Sequence, residues 1–205
     1  MKLYYAPGAC SLAVHIVARE ADLPISLEKV DLATSKTESG VDFKTVNKKG
    51  YVPALSLPDG DVMTEVGVLV QYLGDSSPAA QLVPANGTLP RYRLQEWLTF
   101  ISSEVHKGFS PLWNPATPDA AKQGAKDKLA QRFAYLDEVL AKTPYLMGSQ
   151  FTVADAYLFT VVNWVNFLGI DITPFANIKA FLERVSARPK VREALAAEGL
   201  LPQAA

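Results

Sequence analysis

The hydrophobic period of this chain changes once, shortly before residue 90. Ahead of that point short runs of period two alternate with runs of period 3.6; beyond it almost only the helical period remains. Residues 2–5, Lys2-Leu3-Tyr4-Tyr5, are short, aromatic and strand-like, and stop at Pro7-Gly8. Residues 11–21 predict a helix, with Leu12, Val14, Ile16, Val17 and Ala18 on its apolar face and Arg19 and Glu20 outside. Residues 25–30 alternate again, Ile25 and Leu27 against Ser26 and Glu28. Strand, helix, strand favours a parallel pair with a right-handed crossover. Residues 53–57, the turn Pro58-Asp59-Gly60 and residues 61–63 predict a hairpin, and residues 64–74 a second helix packing Leu69, Val70, Tyr72 and Leu73.

This order of elements describes a small α/β layer of about the thioredoxin type. Residues 78–90 collect Pro78, Pro84, Asn86-Gly87 and Pro90 with little periodicity and are expected to be a linker. Helical spacing then recurs in Leu94, Trp97, Leu98 and Ile101 over residues 92–107, and in Leu129, Phe133, Leu136 and Leu140 over residues 122–141. Lys107-Gly108 is expected to stop the first of these helices. Residues 156–170, interrupted by Asn163 and Asn166, predict a buried helix, and two shorter helices, 176–185 and 191–197, are separated by Pro189. Thr152-Val153-Ala154-Asp155 has the spacing of a capping box, with Phe151 as its hydrophobic staple; this cap is favoured over a catalytic acid at Asp155. The expected fold class is therefore α/β plus all-α: a thioredoxin-like domain over residues 1–77, a linker over 78–90 and an all-helical bundle over 91–205.

Composition narrows the chemistry. Twenty basic residues against 21 acidic ones leave a net charge of −1, which gives no electrostatic case for nucleic acid or an anionic membrane. No stretch reads as a targeting or membrane-spanning segment, and a cytoplasmic setting is expected. The single cysteine, Cys10, excludes an internal disulfide and a multi-cysteine zinc site, and no metal is expected. Cys10 follows a strand and a Pro-Gly turn at the start of a helix, where amides and the dipole favour an anion; its thiol is expected below the reference pKa of about 8.5. The alternative is an inert buried cysteine. Any disulfide chemistry at Cys10 requires an external thiol. Val52-Pro53 precedes a strand whose edge would pair with an extended peptide, and Glu65 at a helix start suits a ligand ammonium. Taken alone, Pro53 also fits an ordinary strand-start proline, and Glu65 is better read as a simple first-turn charge. His15, five residues beyond Cys10, is expected to pack structurally.

These residues resemble the bacterial beta-class glutathione S-transferases over essentially the whole chain. The resemblance rests on residues 1–5 with Pro7-Gly8-Ala9-Cys10-Ser11-Leu12, Gly50-Tyr51-Val52-Pro53-Ala54-Leu55, Thr64-Glu65 with Gln71-Tyr72-Leu73, Glu96-Trp97-Leu98, residues 103–109 and residues 151–159. It implies a homodimer and a glutathione site at Cys10, beside Ser11, with the Val52 backbone, ahead of Pro53, pairing the cysteinyl unit. Glu65 and the Val66 amide would hold the γ-glutamyl end. It also implies that Cys10 can carry glutathione as a mixed disulfide, that His106, followed by Lys107, lies close to the thiol, and that Ser103 and Glu104 reach glutathione in the partner subunit. Three positions depart from the family pattern: Ser35 stands where a lysine is usual, with Lys36 next to it as the candidate for the glycyl carboxylate; Thr99 replaces an asparagine; and Val66 replaces a glycine or serine. Phe109, Trp113, Tyr157 and Trp164 are candidates for an apolar substrate pocket, core packing being as good a reading for Tyr157 and Trp164. The implied activity is conjugation of glutathione to small hydrophobic electrophiles. A glutathione-dependent thiol-disulfide oxidoreductase and a non-catalytic carrier of apolar ligands are the alternatives.

Overall fold

The computed structural model describes residues 1–201. The chain opens with β1 (Lys2–Tyr5), α1 (Ser11–Glu20), β2 (Ser26–Asp31), β3 (Lys36–Thr37) and α2 (Phe43–Val46). It continues through β4 (Ala54–Ser56), β5 (Val62–Thr64) and α3 (Val66–Ser76). The five strands form one sheet in the order β3-β2-β1-β4-β5. Only β1 and β2 run parallel, with Leu3 opposite Leu27; β4 is antiparallel to β1, with Leu3 opposite Leu55. Period two therefore sends Leu3 and Tyr5 to one buried face of β1. The short β3 and α2 were not legible in the sequence: two and four residues are too few to carry a period.

Residues from Ser11 to Ala18 in α1 are all buried, not one stripe of them as the periodicity suggested. The reason lies at the other end of the chain. Two compact units emerge among the described residues, one of residues 1–83 with 187–201, the other of residues 84–186. The sequence-based boundaries gave everything after residue 90 to a helical domain; the last helix instead packs in the first unit, against α1. A helix covered by α3 and by that last helix has no face left for water.

The second unit holds α4 (Leu89–Phe100), a π-helical turn (Ile101–His106), a 3₁₀ turn (Lys107–Phe109), α5 (Ser110–Trp113) and α6 (Asp119–Leu140). After these come α7 (Val153–Val162), α8 (Trp164–Leu168) and α9 (Ala176–Ser186). The first unit is then completed by α10 (Pro189–Ala197), in which Pro189 opens the helix as a first-turn residue. The tract expected to be a linker ends in an ordered start for α4: Thr88 Oγ1 accepts from the Arg91 amide, and buried Arg91 donates through Nε to the Pro84 carbonyl at 2.8 Å. Two expectations fail here. Lys107-Gly108 does not stop the helical run, which passes through π and 3₁₀ turns into α5. Gly108 serves close packing instead, since a Cβ there would lie 2.8 Å from Leu129 Cδ2. The single buried helix expected over 156–170 is two helices that meet at Asn163, whose side chain accepts from Asn166 Nδ2 at 2.7 Å.

The capping box at α7 forms. Buried Asp155 accepts from the Thr152 amide at 2.8 Å and the Thr152 hydroxyl at 2.9 Å, and also from the Leu146 amide at 2.8 Å. Burial pushes its carboxyl up to about 6, against the pull of those bonds. Asp155 thus ties the 143–152 loop to the start of a wholly buried helix. Among the described residues no helix is long and apolar enough to cross a membrane.

Candidate active site

In the first unit the β1–α1 loop places Cys10 at the head of α1, half-buried. Its thiol donates to the Val52 carbonyl, Sγ to O 3.4 Å, a bond that requires the proton on sulfur. Val52 is itself buried and leads through a cis peptide bond to Pro53 and β4. Cys10 and the Val52 backbone, separated by 42 residues in sequence, are thus brought together.

Two braces hold that loop. The Ser11 hydroxyl accepts from the Ala6 amide at 3.2 Å and donates to the Ala6 carbonyl at 3.3 Å, and Ser11 is fully buried. Its side chain is committed to the loop, so the hydroxyl expected beside a ligand faces backbone. The second brace is Glu198, just past α10. Glu198 Oε2 accepts from the Gly8 amide at 3.0 Å, and Oε1 meets His15 Nδ1 at 2.9 Å. Arg19 Nε donates to His15 Nε2 at 3.2 Å. A guanidinium offers no acceptor, so Nε2 receives and Nδ1 carries the proton toward Glu198. His15 packs structurally, as its spacing predicts. Its partner Glu198 was invisible in sequence, lying 183 residues away with no local pattern to mark it.

Glu65 precedes α3 with a φ of 72°, a left-handed conformation strained for a residue with a side chain. Its Oε1 accepts from Lys49 Nζ at 2.6 Å and from the Tyr51 hydroxyl at 3.1 Å. Lys49 Nζ also reaches Thr64 Oγ1 at 3.0 Å. Val66, the first residue of α3, is buried, and the first amides of a helix have no partner within it. Neither Lys49 nor Tyr51 was marked as functional by sequence; the signal that could have found them was the turn chemistry of Asn47 and Gly50. Lys36 lies exposed on β3, the opposite edge of the sheet from β5, lining a shallow groove of about 220 Å³ with Lys29, Thr34 and Glu38.

In the second unit the π-helical turn carries Ser103, Glu104 and His106. His106 Nδ1 pairs with the Tyr157 hydroxyl at 2.7 Å, and its ring stands edge-on to Trp164 at 4.9 Å between centroids. Phe109, Tyr157 and Trp164 are buried, so three of the four pocket candidates belong to the core around His106; Trp113 is 47% exposed and packs edge-on against Trp164. Glu104 is held by Arg132, whose Nε donates at 3.0 Å. The Thr99 hydroxyl donates to Gln95 in its own helix, and the Ser103 hydroxyl donates back to the Thr99 carbonyl. Lys107 is exposed at the end of the turn. No group of three His, Cys, Asp or Glu among the described residues is arranged to hold a metal ion.

Comparison with known proteins bears on both units. A family model described as glutathione S-transferase, N-terminal domain, matches residues 8–76, and one described as glutathione S-transferase, C-terminal domain, matches residues 100–189. Glutathione S-transferase GstA of Escherichia coli O157:H7 is 44% identical over 200 residues, 98% of this chain and 100% of that protein. A sphingomonad glutathione S-transferase complexed with glutathione superposes with a TM-score of 0.95 at 46% identity, covering 98% of this chain and 100% of that one. A bacterial beta class enzyme from Sphingomonas chungbukensis gives the same identity, coverage and TM-score.

Proposed function

The chain belongs to the glutathione S-transferase family and is a transferase, and from that premise we propose that it joins the thiol of glutathione to small apolar electrophiles. The observation that carries this reading is the meeting of Cys10 Sγ with the Val52 carbonyl at 3.4 Å. A tripeptide laid against that backbone exchanges main-chain hydrogen bonds with Val52, and its cysteinyl side chain is then directed to the head of α1. Its γ-glutamyl end extends toward Glu65 and the α3 amides. Glu65 takes the ammonium, and the amides of Val66 and its successor take the carboxylate. The change to valine at position 66 leaves that backbone contact intact. The relative complexed with glutathione supports the ligand assignment.

In the reaction the bound thiol gives up its proton, and the thiolate attacks the electrophilic carbon. The leaving group departs with its bonding pair. Lowering a thiol pKa by about two units from an alkaline reference raises the thiolate fraction at neutral pH about a hundredfold, worth about 2.7 kcal/mol; positioning supplies the remainder. His106, whose Nδ1 lies 2.7 Å from the Tyr157 hydroxyl, serves as the general base in its neutral form. The active form is a homodimer in which Ser103 and Glu104 reach the partner's glutathione.

A second reading is favoured by the half-buried position of Cys10. There the Cys10 thiolate attacks a mixed disulfide of glutathione, forming a Cys10–glutathione disulfide and releasing the substrate thiolate. A second glutathione thiolate then attacks that disulfide, frees Cys10 and leaves as glutathione disulfide. Initial rates with glutathione and an aryl halide, for the wild type and Cys10→Ala, test the first reading. Saturable turnover that survives in C10A supports transfer by bound glutathione. With a mixed disulfide of glutathione in place of the aryl halide, loss of turnover in C10A supports the cysteine cycle; wild-type aryl halide turnover no faster than the solution reaction contradicts the proposal.

A further inference from the structure

Lys49 stands on a loop built to present it. Asn47, 5% exposed, folds the segment back on itself: its Nδ2 donates to the Tyr51 carbonyl at 2.7 Å, and its Oδ1 accepts from the Lys49 amide at 3.1 Å. The Gly50 amide donates to the Asn47 carbonyl at 2.8 Å, and Gly50 takes a φ of 74° that glycine accommodates freely. The turn delivers Lys49 and Tyr51 to Glu65 from outside the α3 helix. The two charged side chains remain about half exposed, 47% and 53%, within reach of an incoming ligand.

A γ-linked glutamate leaves its α-ammonium and α-carboxylate free and one carbon apart. Lys49 and Glu65 are a pair of opposite charges 2.6 Å apart, the complement of that zwitterion. Two cations cannot share Glu65 at full strength, so a bound ammonium favours release of Lys49 from it. Lys49 has Thr64 Oγ1 as a neutral anchor at 3.0 Å, and the Tyr51 hydroxyl keeps Glu65 oriented at 3.1 Å. The ligand's carboxylate then becomes the anion beside Lys49. Val66 offers no hydroxyl to that carboxylate, which raises the weight of a cation near it.

We propose, resting on the glutathione reading above, that Lys49 is a specificity-determining residue of the site: on binding it exchanges Glu65 for the α-carboxylate of the γ-glutamyl residue. It selects ligands that present a carboxylate beside the ammonium over those that present an ammonium alone.

Calorimetric titration of the full chain at low ionic strength tests this with wild type, Lys49→Met and Lys49→Arg. The two ligands are glutathione and its analogue lacking the α-carboxylate, γ-aminobutyryl-cysteinyl-glycine. Glutathione affinity falls about fivefold in K49M, the size of a half-exposed ion pair, recovers in K49R, and the analogue binds K49M and wild type alike. Equal weakening of both ligands in K49M assigns Lys49 to loop shape and overturns the proposal. Unchanged or tighter glutathione binding in K49M overturns it too, the latter by making Lys49 a competitor only. Wild type that binds no glutathione refutes the site reading itself, a result distinct from wild-type binding that K49M leaves untouched.

Discussion

Replacing Glu198 by alanine removes the acceptor for two buried donors at once, the Gly8 amide at 3.0 Å and His15 Nδ1 at 2.9 Å. The carboxylate and the imidazole are wholly inaccessible to water. Each of these hydrogen bonds to a charged acceptor contributes about 1.5–3 kcal/mol, so E198A weakens this corner of the first unit by about 3 kcal/mol. E198Q keeps one acceptor and loses roughly half as much. The choice of probe matters, because Trp97, Trp113 and Trp164 all lie in residues 84–186 and their fluorescence reports the second unit. Amide hydrogen exchange across α1 reports the first. A loss of about 3 kcal/mol speeds opening of α1 by about a hundredfold, with E198Q intermediate. Exchange in E198A within about threefold of wild type would mean that the two hydrogen bonds contribute nothing to holding the Cys10 loop against α1.

Asp155 makes stability depend on pH in a stated direction. Its folded-state carboxyl, near 6, sits above the ordinary 3.8, so the folded chain binds the proton more tightly and stability falls as pH rises from about 4 to about 6. The fall is about 3 kcal/mol, and Asp155→Asn removes that slope from urea midpoints followed by tryptophan fluorescence; an unchanged slope contradicts the assignment. Two helical glycines separate packing from propensity. Gly108→Ala meets Leu129 Cδ2 at 2.8 Å and lowers stability by about 1–2 kcal/mol. Gly124→Ala in α6 meets nothing within 4 Å and raises stability by about 0.5–1 kcal/mol. Thermal unfolding of the two variants gives shifts of opposite sign, and shifts of the same sign contradict the packing account.

Legibility in the sequence followed the range of each interaction. β1, α1, β2 and the β4–β5 hairpin carry their period within a few residues, and β1 and β4 run up to Pro7 and Pro58, so they were readable nearly to their ends. The capping box was readable because its two halves are three residues apart. Cys10 declared itself by position after a Pro-Gly turn. What failed depended on distant partners. The last face of α1 is covered by α10, some 170 residues later. Gly108 carries the signature of a helix stop, and only Leu129 across the packing explains why a glycine stands there. Lys49 and Tyr51 gain meaning from Glu65, which reaches them across the β4–β5 hairpin. Charged side chains brought together by a fold leave no periodic trace.

Glutathione binding by the first unit, with the γ-glutamyl end at Glu65, underlies the proposed function. Titration of glutathione into the wild type and Glu65→Gln, followed by heat, addresses it directly. One glutathione per chain is expected to bind saturably, with affinity about tenfold or more weaker when the Glu65 charge is removed. Absence of binding, or binding of equal strength in both proteins, would contradict it.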